Sequence, residues 1–176
     1  MTVLTLGETM ALFDPVADGP ASIGTQFTLR FAGAESNFAI ALARLGVAVR
    51  WASRLGVDPV GDLIARTMAA EGVDVRLVAR DPHASTGAFM KVREGGRTRV
   101  VYFRRGSAAS KLSPADVPDA AFDGVRLVHL TGITQALGEG ACALVQHAAE
   151  RARQTSATLT FDANYRPALW PGFLCK

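Results

Sequence analysis

Cysteine and histidine are scarce in this chain. Cys142 and Cys175, with His83, His129 and His147, are all that its 176 residues contain. They form neither a disulfide framework nor metal-ligand spacing, and a reduced, cytoplasmic compartment is the simple expectation. No stretch of about 18 apolar residues occurs, so no membrane span is expected. The opening MTVLTLGETM has no basic region and no long apolar segment, so a signal peptide is not expected either. The formal net charge of +3 is spread along the chain with no Lys/Arg block and no nucleic-acid reader motif. That excess is compatible with a small anionic substrate and gives no reason to expect a nucleic-acid or membrane partner. G-x-x-x-x-G-K-[ST] is absent, which excludes a P-loop kinase, and so is G-x-G-x-x-G, which leaves a Rossmann dinucleotide site unsupported. H-E-x-x-H and C-x-x-C are missing as well.

What is present reads as a globular α/β chain, 49% hydrophobic and 20% charged. Short β-branched and apolar runs predict strands at 3–6, 10–14, 27–31, 47–53, 73–78, 125–130 and 159–161. Residues 36–45, SNFAIALARL, predict a helix buried on nearly all sides, capped by Ser36 or Asn37 and ended by Gly46. Further helices are expected over 59–71, ended by Gly72, and over 139–153, with a short acidic helix start after Ser113-Pro114. Alternating strands and helices imply a mainly parallel sheet covered on both faces. Thr86–Arg93 and Thr98–Arg105 flank Gly95-Gly96 and predict a two-residue hairpin outside that layer. With residues 10–14 and 27–31 the hairpin would form a small β lid, over segments of about 10–31 and 86–105. Trp170, Phe173 and their neighbours follow the last strand where a covering helix would be expected. The chain is therefore expected to be the N-terminal portion, 1–176, of a larger domain.

Three constellations invite chemistry. In the hairpin register Glu94 faces Arg97 and Phe89 faces Tyr102, so Phe89, Tyr102 and Arg104 share one face. An aromatic–Arg patch can stack on a sugar and grip a carboxylate; a solvated amphipathic hairpin is the plainer reading. The opposite face, Ala88, Met90, Val101 and Phe103, looks like packing. In Ala32-Gly33-Ala34-Glu35-Ser36-Asn37 a small-residue turn opens into a helix. Gly33 and Ala34 would let a ligand approach the backbone, and Asn37 can bond hydroxyls; a cap with tight packing explains the same residues. Asp162, Asn164 and Arg166 stand at the carboxyl end of a buried strand, where α/β sheets bind ligands. Asp162 or Asn164 would orient a hydroxyl and Arg166 would neutralise a phosphate; an Asp-turn pinned by a local ion pair is the alternative. His129, inside a strand, reads as a satisfied core histidine.

These pieces occur together in one family. Gly7-Glu8, Gly33-Ala34-Glu35-x-Asn37, Leu42-Ala43-Arg44-Leu45-Gly46 and Arg54-Leu55-Gly56-x-Asp58-x-x-Gly61 resemble the PfkB-type (ribokinase-like) carbohydrate kinases. Tyr102-Phe103-Arg104-x-Gly106-Ser107 and Phe161-Asp162-x-Asn164-Tyr165-Arg166-Pro167 are similar to the 2-keto-3-deoxygluconate kinase branch. The resemblance implies a ribokinase-like three-layer α/β/α fold whose C-terminal part lies beyond this chain. It also implies phosphoryl transfer from ATP, with Mg²⁺, to a sugar acid. Gly33, Ala34 and Asn37 would then hold sugar oxygens, and Phe89, Tyr102 and Arg104 would come from the lid, with Arg104 near the substrate carboxylate. Asn164 and Arg166 would bridge substrate and triphosphate. A homodimer through the lid would fit as well. The family's Gly-Ala-Gly-Asp, whose Asp is the general base, does not occur. The chain by itself is therefore expected to be inactive. Another sugar as substrate, or a non-catalytic sugar-acid-binding role, are the alternatives.

Overall fold

Period-two alternation in the first strand sets the architecture. In a computed structural model of the chain, which describes residues 1–170, β1 (Thr2–Leu6) lies at the centre of a five-stranded sheet. It sends Val3 to one face and Leu4 and Leu6 to the other. The sheet order is β5-β4-β1-β8-β9, with β4 (Ala48–Gly56), β5 (Val78–Asp81), β8 (Val125–Thr131) and β9 (Thr158–Asp162) all joined by parallel ladders. Val3, Val49, Trp51 and Leu55 pack under α1 (Ala34–Arg44) and α2 (Pro59–Ala70). Leu4, Leu6, Val128 and Leu130 pack under α3 (Glu139–Gln154), together with Phe122 from a short 3-10 turn. Helices therefore cover both faces, as expected, while among the described residues Leu159 and Phe161 of β9 remain about half exposed. Phe173 and Cys175 lie outside the described residues.

The remaining strands form a second sheet, ordered β3-β2-β6-β7, from β2 (Met10–Pro15), β3 (Phe27–Ala32), β6 (Ala88–Glu94) and β7 (Arg97–Phe103). Its hairpin has the expected register, Glu94 opposite Arg97 and Phe89 opposite Tyr102. Gly95 and Gly96 have φ of 56° and 73°, the two left-handed residues of a type I′ turn. A methyl group at Gly96 meets no atom, so Gly96→Ala is charged with backbone strain alone. It is expected to lower stability by about 1 kcal/mol in denaturant melts.

Several local expectations are corrected. Residues 73–78 are not a strand. Asp74 makes one isolated bridge to Arg50, and pairing begins at Val78, after a turn that the β-branched run concealed. Helix α1 is capped by the extended Gly33 with no side-chain cap, and Ser36 Oγ donates instead to the Gly33 carbonyl at 3.2 Å. Nor is α1 buried all round: Asn37, Ala41 and Arg44 are exposed, and Leu45 is 77% exposed. Arg44 grips Glu71 through two bonds of 2.6 Å each on that open side. On the hairpin face expected to pack, Phe103 is 57% exposed.

Helix α2 follows its sequence signals closely. Pro59 starts it, and Asp58 caps it by accepting from Gly61 N–H at 2.7 Å. The other Asp58 oxygen accepts from Thr86 N–H at 2.7 Å, fixing the entry to the hairpin. His129 stacks on Phe38 and its Nδ1 lies 3.0 Å from Thr160 Oγ1, so it is a satisfied histidine of the α1 face.

Candidate functional site

Five segments meet above the carboxyl ends of β1, β8 and β9, where the strand order runs away from β1 in both directions. Ligands of open α/β sheets bind at such a place. The segments enclose a cavity of about 300 Å³, at the lower end of the range for small-molecule sites. Glu8 enters from the end of β1, and Gly33, Ala34 and Asn37 from the turn into α1. Phe89, Tyr102 and Arg104 come from the hairpin, Ile133 follows β8, and Asn164, Arg166 and Leu169 follow β9. Eight of the nine residues singled out in the sequence thus line one concavity. A larger groove of about 570 Å³ shares Asn37 but lies on the outer side of α1. It touches no strand end of the main sheet, and one of its two cations, Arg44, is committed to Glu71, so the smaller cavity is the stronger candidate.

Asp162 is the exception. It is exposed and does not line the cavity; its Oδ1 accepts the Asn164 N–H at 2.9 Å. That bond holds Asn164 at φ 36°, a left-handed conformation that asparagine tolerates. The Asp-turn reading therefore describes the local geometry, and its effect is to aim Asn164 and Arg166 inward. Arg166 is exposed, and its guanidinium donates to its neighbour's carbonyl, Tyr165 O, at 3.4 Å.

The walls are tight for stated reasons. A methyl group at Gly33 would run into the Glu8 carbonyl and lie 2.8 Å from Thr9 Oγ1. One at Gly87 would lie 2.9 Å from Glu8 Oε1 and 3.0 Å from Met10 Cγ. The Phe89 and Tyr102 rings sit 5.8 Å apart, and the Arg104 guanidinium lies 5.7 Å from the centre of the Tyr102 ring, within cation–π range.

Two buried carboxylates support this floor, and neither was assigned a role from sequence. Glu8, 3% exposed, forms an ion pair with Arg104 and accepts from Ser107 Oγ at 2.9 Å. Burial pushes its carboxyl above the ordinary value, against the lowering effect of Arg104 and Ser107. Glu35, fully buried at the start of α1, accepts from Thr131 Oγ1 at 2.6 Å and Thr134 Oγ1 at 2.5 Å. Burial pushes it up too, the two hydroxyls oppose this, and Glu8 adds a further upward push. The available signal for Glu8 was its position, a lone charge in an otherwise apolar or small run from Val3 to Leu12. Among the described residues no cluster of His, Cys, Asp and Glu could hold a metal ion, and no helix is long and apolar enough to cross a membrane.

The chain matches the model of the pfkB family carbohydrate kinases over residues 2–176. A 2-dehydro-3-deoxygluconokinase of Bacillus subtilis (strain 168) is 38% identical over 174 residues, which is 97% of this chain and 53% of that protein. One of Thermoproteus tenax is 37% identical over 174 residues, 97% of this chain and 52% of that protein. The crystal structure of a PfkB protein from Polaromonas sp. JS666 superimposes with a TM-score of 0.92 at 38% identity, covering 97% of this chain and 58% of that one. The chain spans about half the length of the curated relatives it matches.

Proposed function

The chain belongs to the pfkB family of carbohydrate kinases and has the ribokinase-like α/β/α fold, and from that premise we propose that the whole protein transfers a phosphoryl group from ATP to a hydroxyl of a sugar acid. The substrate these residues suit best is 2-keto-3-deoxygluconate (2-dehydro-3-deoxygluconate), giving its 6-phosphate. The observation that carries this reading is the meeting of two guanidinium groups, Arg104 and Arg166, with the Phe89 and Tyr102 rings in one cavity at the strand ends. Aromatic faces suit a sugar's C–H surface, and planar guanidinium forks suit carboxylate and phosphate. Gly33, Ala34 and Asn37 offer backbone and amide groups to sugar hydroxyls.

Arg166 has no carboxylate partner in the described residues, so its charge is free for the triphosphate, with Asn164 beside it. The described residues offer no carboxylate cage for Mg²⁺. Gly-Ala-Gly-Asp is absent from the 176 residues. In this reading they hold the sugar while the catalytic base comes from elsewhere in the whole protein. The second sheet acts as the lid. Its outer face carries Phe13, Leu29 and Phe103, at 37%, 46% and 57% exposure, on one side of the register, and a second copy's lid is the proposed cover.

Titration calorimetry of the 176-residue chain tests the reading. It is expected to bind 2-keto-3-deoxygluconate without nucleotide, to bind fructose at least tenfold more weakly (about 1.4 kcal/mol), and to release no ADP from ATP. Equal affinity for acid and neutral sugar would remove the sugar-acid assignment.

A further inference from the structure

We propose that Glu8 is a specificity-determining residue: the carboxylate of a sugar acid takes Arg104 from Glu8, and Glu8 accepts a proton from solvent as it loses that partner. This rests on the reading that the cavity binds a sugar acid.

The geometry poses a charge-balance problem that no motif announces. Arg104 is the lid's contribution to the pocket, yet in the ligand-free chain its charge is already committed to Glu8. The Arg104 side chain is 13% exposed and that of Glu8 only 1%, and both line the same cavity. A substrate carboxylate reaching Arg104 would place two carboxylates on one guanidinium in a site from which water is largely excluded. Like charges sharing such a site do not both stay ionised.

The groups around Glu8 decide which one takes the proton. Ser107, just past β7, bonds its Oε1 and can turn to accept from a protonated carboxyl. Glu35 on α1 is a second buried carboxyl close to Glu8 and offers it no positive charge. Arg166 lines the same cavity and forms no ion pair with Glu8 among the described residues. A carboxylate beside a keto group is a weaker base than a glutamate, and the ligand keeps Arg166 and the cavity mouth. Glu8 keeps neither, so the proton goes to Glu8. Burial already biases its carboxyl in that direction. A neutral sugar leaves the Glu8–Arg104 pair intact and binds without a proton.

The experiment is calorimetry of the 176-residue chain with 2-keto-3-deoxygluconate in phosphate and in Tris, buffers of very different ionisation heat, with fructose as the neutral control. The apparent heat for the acid is expected to differ between buffers in the sense of proton uptake, and the heat for fructose to agree between them. Affinity for the acid should fall by up to about tenfold per pH unit as pH rises through the window in which Glu8 titrates. In Glu8→Gln both the buffer dependence and that slope should vanish. Acid binding with a buffer-independent heat overturns this proposal and leaves the substrate reading standing. Buffer dependence that survives in Glu8→Gln places the proton elsewhere and also overturns it. Binding of fructose but not of the acid overturns the substrate reading, and this proposal with it. The wild-type comparison of acid with fructose needs no variant and stands even if Glu8→Gln does not fold.

Discussion

Arg104→Leu is expected to destabilise the chain by about 3 kcal/mol at pH 7, and adding Glu8→Gln to recover most of the loss. Removing one partner of a buried ion pair leaves the other charge uncompensated, which costs about 3–5 kcal/mol in general. Here a ceiling can be set. Glu8 can escape by taking up a proton, and moving a carboxyl from its ordinary 4.5 to fully protonated at pH 7 costs about 3.4 kcal/mol, at about 1.36 kcal/mol per unit. In the variant the folded chain holds a proton that the unfolded chain releases, so the deficit should shrink by up to about 1.4 kcal/mol per unit on acidification toward the ordinary carboxyl range. Urea melts at two pH values would read both quantities. A deficit that ignores pH and persists in the double variant would mean that Arg104 is held by packing on Tyr102 rather than by Glu8. For binding, Arg104→Leu should weaken the sugar acid by a factor of about 30 or more, the 2 kcal/mol or greater typical of a desolvated charge partner, while a neutral sugar changes far less. Equal losses would end the assignment of Arg104 to a carboxylate.

The layered core was legible because its signals are local and redundant. Val3 to Leu6 and Val125 to Leu130 are short apolar runs closed by turn residues, and the parallel sheet follows from their alternation with helices. The register of the hairpin was legible because a Gly-Gly turn fixes it, although the strands run Ala88–Glu94 and Arg97–Phe103 rather than from Thr86 and on to Arg105. What failed had a tertiary cause. The run from Val73 to Val78 has strand composition, but a turn at Arg76 and Leu77 interrupts it, so Asp74 bridges to β4 alone and the ladder begins only at Val78. The open side of α1 was invisible because Ala41 and Leu45 are apolar, and apolar residues are also common on surfaces. Phe103 was expected to pack for the same reason.

The pocket's rim was legible and its floor was not. Arg104, Tyr102 and Phe89 follow from strand geometry, and Asn164 and Arg166 from their place at a strand end. Asp162 shares that place but turns to its own backbone, a competition for which short acidic side chains are well suited. Glu8 and Glu35 escaped because a buried carboxylate is recognised only by its partners. Arg104 lies 96 positions from Glu8, and Thr131 and Thr134 lie 96 and 99 from Glu35. No local pattern connects them: β8 beside β1 in the main sheet sets Thr131 and Thr134 against the start of α1, and the second sheet carries Arg104, just past β7, to Glu8.

Glu35 carries the second large effect, because it clamps two walls of the pocket at once. Its carboxylate joins the start of α1, which presents Gly33, Ala34 and Asn37, to Thr131 and Thr134 around Ile133. Gly7 leaves room for it, since a methyl there would collide with the carboxyl carbon. Glu35→Leu removes the acceptor of two buried hydroxyls, at about 1–3 kcal/mol each, so a loss of about 2–5 kcal/mol is expected, together with weaker sugar binding. Glu35→Gln keeps an acceptor oxygen and should lose less. Burial holds the wild-type carboxyl above its ordinary value, against the two threonine hydroxyls and with Glu8 adding to the rise. The folded chain therefore binds a proton that the unfolded chain gives up above about pH 4.5. The wild type's stability accordingly declines as pH climbs from there toward the folded value, whereas Glu35→Gln lacks that contribution. Across that window the balance should move in favour of Glu35→Gln by up to about 1.4 kcal/mol per unit. Denaturant melts of both chains from about pH 5 to about pH 8 would measure it. A gap that stays constant, or moves in favour of the wild type, would mean that the two threonines hold Glu35 ionised throughout and that the clamp is an anion rather than an acid.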